Sequence, residues 1–558
     1  MTDLYQEILS KHIAPGQMFE TKEVVNDKGV TFREYVHFPD SLRGFLDFGL
    51  LHEEKDWLVY EEERYSYKEV FEKSAQTGNA LLEAGIEKGD RVAICMQNNP
   101  EFIFAYLGIV GVGAVCVPLN SWWVPTEVIY GLEHSDAKLL FADTKRLQGL
   151  DSLPDVKKIV TSYTQDDSFT SFSDFIKDHD KTFPEILINR NDNATIYYTS
   201  GSTGKPKGVL SSQKGVISTI FSWACYSSVL SQIAILDDPD AEPLTGPDLA
   251  ILHCVPLFHV TGSHAGLLMS ILAGRKIVMM KKWDAGEALK LIESEKISDI
   301  TGVPTQTWEL LNHPERLNYD TSSLKSLSGG GGPRPAEHVK LLDQEFEGRP
   351  SIGYGLSETN AVGTLCNGDE YIAHPSTAGR VVPPITDIRI IDDNWKELEE
   401  GELGEIAIKS PANMVGYWKN IDATAECTND DGWFRSGDLG KFEGPFLYIV
   451  DRVKDMVIRG GENIACPEVE SAIYEHSDVL EACVFGIPDE RLGEVLCACV
   501  YLKLNKDMSS ENLQSFLADK LAAFKIPVVI EFSKVNLPRI ASGKYDKPLL
   551  RKMFSESN

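Results

Sequence analysis

From about residue 66 onward, short apolar runs with strand character alternate with segments whose apolar residues recur at helical spacing. This alternation limits the fold more than any other feature of the sequence. Residues 70–84 read as a helix, 91–96 as a buried strand, 102–110 as a helix, 113–119 as a strand, 126–132 as a helix and 138–142 as a strand. Apolar strands separated by amphipathic helices imply α/β units on a mostly parallel sheet. A second such stretch has strands at 250–255 and 276–280 and helices at 263–272 and 285–295, so a large domain with more than one sheet is expected.

The texture changes after about residue 380, where short, turn-rich strands appear at 386–391, 404–408 and 446–450. The last hundred residues or so read as a small α+β module. It has a helix from Pro467, strands at 482–485 and 495–502, and a helix carrying Leu513, Phe516, Leu517, Leu521 and Phe524 on one face. The expected division is 1–450 and 451–558. At 558 residues the chain is long enough for both units.

The formal net charge is −30, from 54 basic and 84 acidic residues, which argues against nonspecific binding to nucleic acid or anionic membranes. The first twenty residues lack a signal peptide's basic start and continuous apolar core; Leu4, Ile8, Leu9 and Ile13 follow helical spacing instead. With no run of about 18 apolar residues, no transmembrane span is expected. The ten cysteines sit among apolar neighbours without zinc-site spacing, so they read as reduced core thiols in a cytoplasmic protein.

The segment richest in chemistry is Thr195-Ile-Tyr-Tyr-Thr-Ser-Gly-Ser-Thr-Gly-Lys-Pro-Lys-Gly-Val209. A β-prone run feeds a loop of Gly, Ser and Thr followed by two lysines. Glycines let backbone N–H groups approach an anion, hydroxyls add donors, and Lys205 or Lys207 adds charge. That is phosphate-binding chemistry rather than a plain linker. It is not the Walker loop, because Gly201 and Gly204 are only two residues apart and Pro206 follows Lys205.

The segment resembles the signature loop of the adenylate-forming superfamily, which includes acyl-CoA synthetases, beetle-type luciferases and peptide-synthetase adenylation domains. Other family segments follow in order, and the resemblance covers roughly residues 40–550. It implies two mostly parallel sheets in a layered α/β arrangement, a small β-barrel-like subdomain, and a small mobile C-terminal domain hinged near Lys454. By resemblance Thr199, Ser200, Gly201, Ser202, Thr203, Gly204 and Lys207 cradle the phosphates of ATP.

Pro256-Leu-Phe-His-Val-Thr-Gly262 resembles the segment whose His gates the acyl pocket, here His259. Ser328-Gly-Gly-Gly-Gly-Pro333 and Gly353-Tyr-Gly-Leu-Ser-Glu-Thr359 resemble the adenine-site segments. They imply nucleotide contacts from Gly330, Gly331, Gly353, Tyr354, Gly355 and Ser357, and Mg²⁺ on Glu358, since a hard cation favours carboxylate and phosphate oxygens. Ser357 replaces the family's usual threonine, and the glycine run lacks its usual alanine.

In Trp433-Phe-Arg-Ser-Gly-Asp-Leu439, Asp438 is the implied ribose ligand, and Arg452 a second ribose or phosphate contact. Gly460 and Gly461 match a turn that borders the pantetheine tunnel after domain rotation. Pro538-Arg-Ile-Ala-Ser-Gly-Lys-Tyr-Asp-Lys547 matches the C-terminal signature, with Lys544 as the lysine that reaches the reacting phosphate. Lys544, His259, Lys207 and Glu358 are the expected catalytic set.

The implied reaction is ATP- and Mg²⁺-dependent activation of a carboxylic acid to acyl-AMP, then transfer to coenzyme A. A carrier protein as acceptor and a non-catalytic nucleotide or acyl sensor are the alternatives. The implied pocket is Trp223, His259, Thr261, Thr301, Val303 and Gly329, with Gly262, Ser263 and Gly266 leaving room. That favours a hydrophobic acid, a medium- or long-chain fatty acid ahead of a cinnamate- or benzoate-like acid. Small molecules are the expected partners, and a homodimer is compatible with them.

Overall fold

The computed structural model describes residues 2–26, 29–148, 150, 156–160, 169–199, 205–239, 246, 248–540 and 543–557. The first alternating stretch forms an eight-stranded sheet. Its order is Gly416–Tyr417, Lys207–Ser212, Asn193–Thr199, Val115–Pro118, Arg91–Cys95, Ala137–Ala142, Lys157–Val160 and Thr170–Ser171. Pairing is parallel from Asn193–Thr199 onward and antiparallel at the Lys207–Ser212 end.

The second stretch forms a nine-stranded sheet whose parallel centre contains Arg349–Tyr354, Ser326–Gly330, Asp299–Gly302, Ala250–His253, Lys276–Met279 and Asp56–Tyr60. More than one mostly parallel sheet is what the alternation predicts, and two in layers is what the resemblance implies.

Local signals set the element ends. Helix Tyr67–Glu83 starts on a capping box, Ser66 accepting from the Glu69 N–H while Glu69 reaches back, an arrangement that contributes about 1 kcal/mol. Its Tyr67 ring stacks on Trp57 at 4.5 Å and 5°, which ties the helix to the second sheet. One core joins the layers, with Val92, Ile94 and Tyr197 from the first sheet and Trp57, Ile251 and Ile277 from the second.

Between the sheets lies helix Gln213–Asp237, which the sequence reading did not foresee. Among the described residues it is the one helix long and apolar enough to cross a membrane by length and composition. Val216, Ile217, Ile220, Phe221 and Trp223 are buried in the core, and Ser222 and Ser228 hydrogen-bond Tyr35 and His12 at 3.1 and 3.0 Å. It is the central core helix of this domain. Helix Thr2–His12 packs against it through Tyr5, Ile8 and Leu9, as the N-terminal periodicity predicts.

At the expected barrel-like unit stands a four-stranded antiparallel sheet, Asp387–Ile391, Gly404–Lys409, Phe434–Glu443 and Phe446–Arg452, whose last strand bridges on through Leu447 to Gly379. The chain then enters a five-stranded sheet built around the long hairpin Val479–Asp489 and Gly493–Leu502, with helices Cys466–Tyr474 and Ser510–Ala518. All ten cysteines are unpaired, and eight are buried.

Candidate active site

Strands Asn193–Thr199 and Lys207–Ser212 pair antiparallel, with Thr199 opposite Lys207. Ser200, Gly201, Ser202, Thr203 and Gly204 lie outside the described residues. At this end of the strand pair the Lys207 ammonium sits 4.8 Å over the Tyr417 ring, and the Tyr417 hydroxyl donates to Glu358 Oε1 at 2.8 Å.

Strand Gly416–Tyr417 pairs with Lys207–Ser212, which is how a tyrosine two hundred residues away arrives here. Glu358 lies in the turn Ser357–Thr359 and is buried; burial raises its carboxyl above the usual range, and the Tyr417 hydrogen bond opposes this. Lys207, Glu358, Tyr417, Arg435, Ser436 and Gly437 line an open cleft of about 340 Å³.

Beside it, strand pairing sets Asp438 opposite Arg452. The buried Asp438 carboxylate accepts from the Tyr354 hydroxyl at 2.8 Å and meets Arg452 Nε at 3.3 Å. Gly330 and Gly353 are paired neighbours on adjacent strands, which brings the two glycine-rich segments together. A Cβ on Gly355 would lie 2.3 Å from the Ala361 carbonyl oxygen, so only glycine permits this close turn.

The C-terminal segment reaches the same place. Lys544 Cε lies 3.4 Å from where a Cβ on Gly331 would stand. Gly543, at φ +84°, packs against Val303, and its carbonyl accepts from Thr305 Oγ1 at 3.4 Å. Burial and the Arg452 charge push the Lys544 ammonium down to about 8, against the pull of Asp438. Burial and the Lys544 charge likewise push His259 down to about 4, so its ring is neutral, and its Nε2 has no hydrogen-bond partner among the described residues.

Thr261 opens the segment Thr261–Leu268, which winds as a π-helix rather than the α-helix expected at 263–272; π-turns are frequent at functional sites. Thr301 and Gly329 lie on adjacent paired strands, where Thr301 is matched to Ser328 and Gly302 to Gly329. Trp223 is buried on the central helix.

The reading of Gly262, Ser263 and Gly266 as pocket space is corrected. A Cβ on Gly262 would stand 2.4 Å from the Pro256 carbonyl oxygen, and one on Gly266 2.3 Å from the His253 ring. These glycines admit neighbouring protein, not ligand. Ser263 is fully buried and belongs to a polar chain that sequence reasoning missed. Tyr197 donates to Ser263 at 2.6 Å, Ser263 meets His264 Nδ1 at 3.0 Å, and His264 Nε2 meets Asn360 Oδ1 at 3.1 Å.

Asn360 follows the Glu358 turn at φ +50°, so this chain ties the π-helix to that turn. No local pattern signals it, nor the Tyr417 contact, because both depend on long-range pairing. Lys454 is exposed. Gly460 and Gly461, both at positive φ, form the two-residue turn of the hairpin between Arg459 and Glu462; neither lines the cleft.

The family model described as AMP-binding enzyme matches residues 50–418, and that of the AMP-binding enzyme C-terminal domain matches 468–544. The chain is 33% identical over 507 residues to a long-chain-fatty-acid–CoA ligase of Bacillus subtilis (strain 168), covering 85% of this chain and 86% of the relative. It is 32% identical over 492 residues to a feruloyl-CoA synthase of Amycolatopsis sp, covering 88% and 94%. Its fold matches ATP-bound MatB from Rhodopseudomonas palustris with a TM-score of 0.80 at 26% identity, over 92% of this chain and 99% of that one. With both family segments matched in order on a fold that carries the Lys544, Asp438 and Glu358 side chains to one place, the chain belongs to the AMP-binding enzymes, in the family of AMP-forming acyl-CoA ligases.

Proposed function

We propose that the protein joins a hydrophobic carboxylic acid, a fatty acid first among the candidates, to coenzyme A in the cytoplasm. A carboxylate oxygen attacks the α-phosphorus of ATP, the bond to pyrophosphate breaks, and acyl-AMP forms. The thiolate of coenzyme A then attacks the acyl carbon, and AMP leaves. The observation that carries this reading is the convergence of Lys544, from the C-terminal segment, with Gly331 and the Asp438–Arg452 pair.

In this reading Asp438 binds the ribose, Tyr354 borders the base, and Lys207 and the loop 199–207 hold phosphate oxygens. Mg²⁺ fits Glu358. Among the described residues no cluster of three or more His, Cys, Asp or Glu is placed to hold a metal, so a cation would depend on one carboxylate and substrate phosphates. Mg²⁺ accepts that coordination, and when bound it neutralises phosphate charge. His259 is a neutral pocket wall rather than a proton carrier.

The hinge is assigned to residues 453–456, between the end of strand Phe446–Arg452 and the start of strand Val457–Arg459, around Lys454. Rotation there withdraws Lys544 and carries Gly460 and Gly461 toward the thiol's approach. In this reading the boundary lies a few residues past the expected 450/451, because Asp451 and Arg452 pair with Leu439 and Asp438 in the large unit.

The test is AMP and acyl-CoA formation from MgATP over fatty and aryl acids of graded length, with coenzyme A present or omitted. Turnover that requires coenzyme A and rises with chain length is the expected result. Selective turnover of cinnamate-like acids would replace the fatty-acid assignment. Turnover indifferent to coenzyme A would point to a carrier protein.

The lysine also fixes a pH dependence. Its ammonium must be charged to meet the α-phosphate, and in the unliganded site that charge is lost as pH rises through about 8. Because kcat/KM reports the free enzyme, kcat/KM for ATP is expected to fall about tenfold per pH unit above that point. In Lys544→Arg the limb should vanish, since a guanidinium stays protonated across the whole working pH range. A limb unchanged in the arginine variant would assign it to another group.

A further inference from the structure

We propose that Trp308 and His338, outside the nucleotide cleft, are positioning residues that latch the C-terminal domain in the orientation that makes acyl-AMP. The inference rests on the two-orientation reading above and adds what holds the first orientation.

Trp308, on helix Pro304–Leu311, donates its indole N–H to the Leu480 carbonyl of the C-terminal domain at 2.8 Å. Its ring lies on the His338 imidazole at 3.6 Å and 6°. His338, on helix Ala336–Glu345, meets the edge of Tyr474 from the C-terminal domain at 4.7 Å and 76°. His338 is buried, and its Nε2 has no partner among the described residues, so packing between two aromatic rings is what the imidazole does here.

The contact leads straight to the reacting lysine. Tyr474 meets the Tyr545 hydroxyl at 2.8 Å, and Tyr545 is next to Lys544. Arg539, which donates to the Gly543 carbonyl at 3.0 Å, joins Glu481 and reaches Glu309 on the same helix as Trp308 at 3.5 Å. The loop that carries Lys544 is therefore gripped from one helix of the large domain. Rotation of the small domain must break the Trp308–Leu480 hydrogen bond and the His338–Tyr474 contact, while neither Trp308 nor His338 lines the cleft.

Half-reactions separate this role from a structural one. Trp308→Phe keeps the stacked ring and removes only the donor; Trp308→Ala removes both. Adenylation is read by pyrophosphate exchange into ATP. Thioester formation is read from preformed decanoyl-AMP plus coenzyme A, or cinnamoyl-AMP if the acid panel selects aryl acids.

The expected result is a fall of about tenfold in exchange for Trp308→Phe, the order for a buried hydrogen bond left half-made, with thioester formation unchanged or faster. Trp308→Ala should widen that split. Equal losses in both half-reactions, or no change in either, would overturn the latch; the phenylalanine variant carries this test if the alanine variant does not fold. Absence of exchange in the parent enzyme would instead overturn the adenylation reading.

Discussion

Replacing Lys544 by alanine is expected to slow acyl-AMP formation by a factor of about 100 to 1,000, the cost of removing one preorganised charge or donor from a reacting centre. The side chain stands in van der Waals reach of Gly331, whose φ of +74° favours glycine there. Little compensates for its loss. Arg452 is engaged with Asp438, and Lys207 lies over Tyr417 beside Glu358. Thioester formation from supplied acyl-AMP should change by less than about threefold, because in the proposed two-orientation cycle the lysine is withdrawn before that step. Rapid-quench measurement of the two half-reactions checks this, and equal losses in both would place Lys544 in a purely structural role.

The second large effect is expected at Glu358. Glutamine there keeps the shape and can still accept from Tyr417, but it removes the one buried carboxylate of the cleft turn. Since a metal ion contributes several kcal/mol to charge stabilisation in such transfers, adenylation in Glu358→Gln should fall on the order of 100-fold, with partial recovery as Mg²⁺ is raised. The check is a Mg²⁺ titration of pyrophosphate exchange in both proteins. An unchanged Mg²⁺ midpoint with nearly full activity would remove Glu358 from cation binding.

The legible parts of this molecule are those whose determinants are local. Helix Ala285–Glu295 follows from its own periodicity and cap, and strands Ala137–Ala142 and Gly404–Lys409 fall within a residue or two of expectation. The central helix Gln213–Asp237 was missed because much of its surface is packed in protein, which removes the polar face that a periodicity argument needs. How the strands of the small sheet after residue 380 join was not legible, because the Leu447–Gly379 bridge depends on which strands meet, not on any one strand's composition.

The candidate site divides in the same way. Asp438, Glu358 and Lys544 sit in contiguous motifs that can be read directly. Tyr417, His264 and Asn360 carry no local mark; strand pairing and the π-helix bring them in. The glycines at 262 and 266 illustrate the limit most clearly. Small residues beside a pocket segment read as space for ligand, yet here they admit a carbonyl and an imidazole of the protein itself. Acid size therefore has to be measured.

The most direct test of the central claim is to mix the protein at high concentration with MgATP and a preferred acid, omit coenzyme A, and analyse the acid-quenched mixture by mass spectrometry. One equivalent of acyl-AMP per chain should accumulate with one of pyrophosphate, and a chase of coenzyme A should convert it to acyl-CoA and free AMP in a single turnover. Bound ATP that remains intact across the whole acid panel, with no acyl-AMP at any time, would contradict the account and favour a nucleotide-sensing role on the same fold.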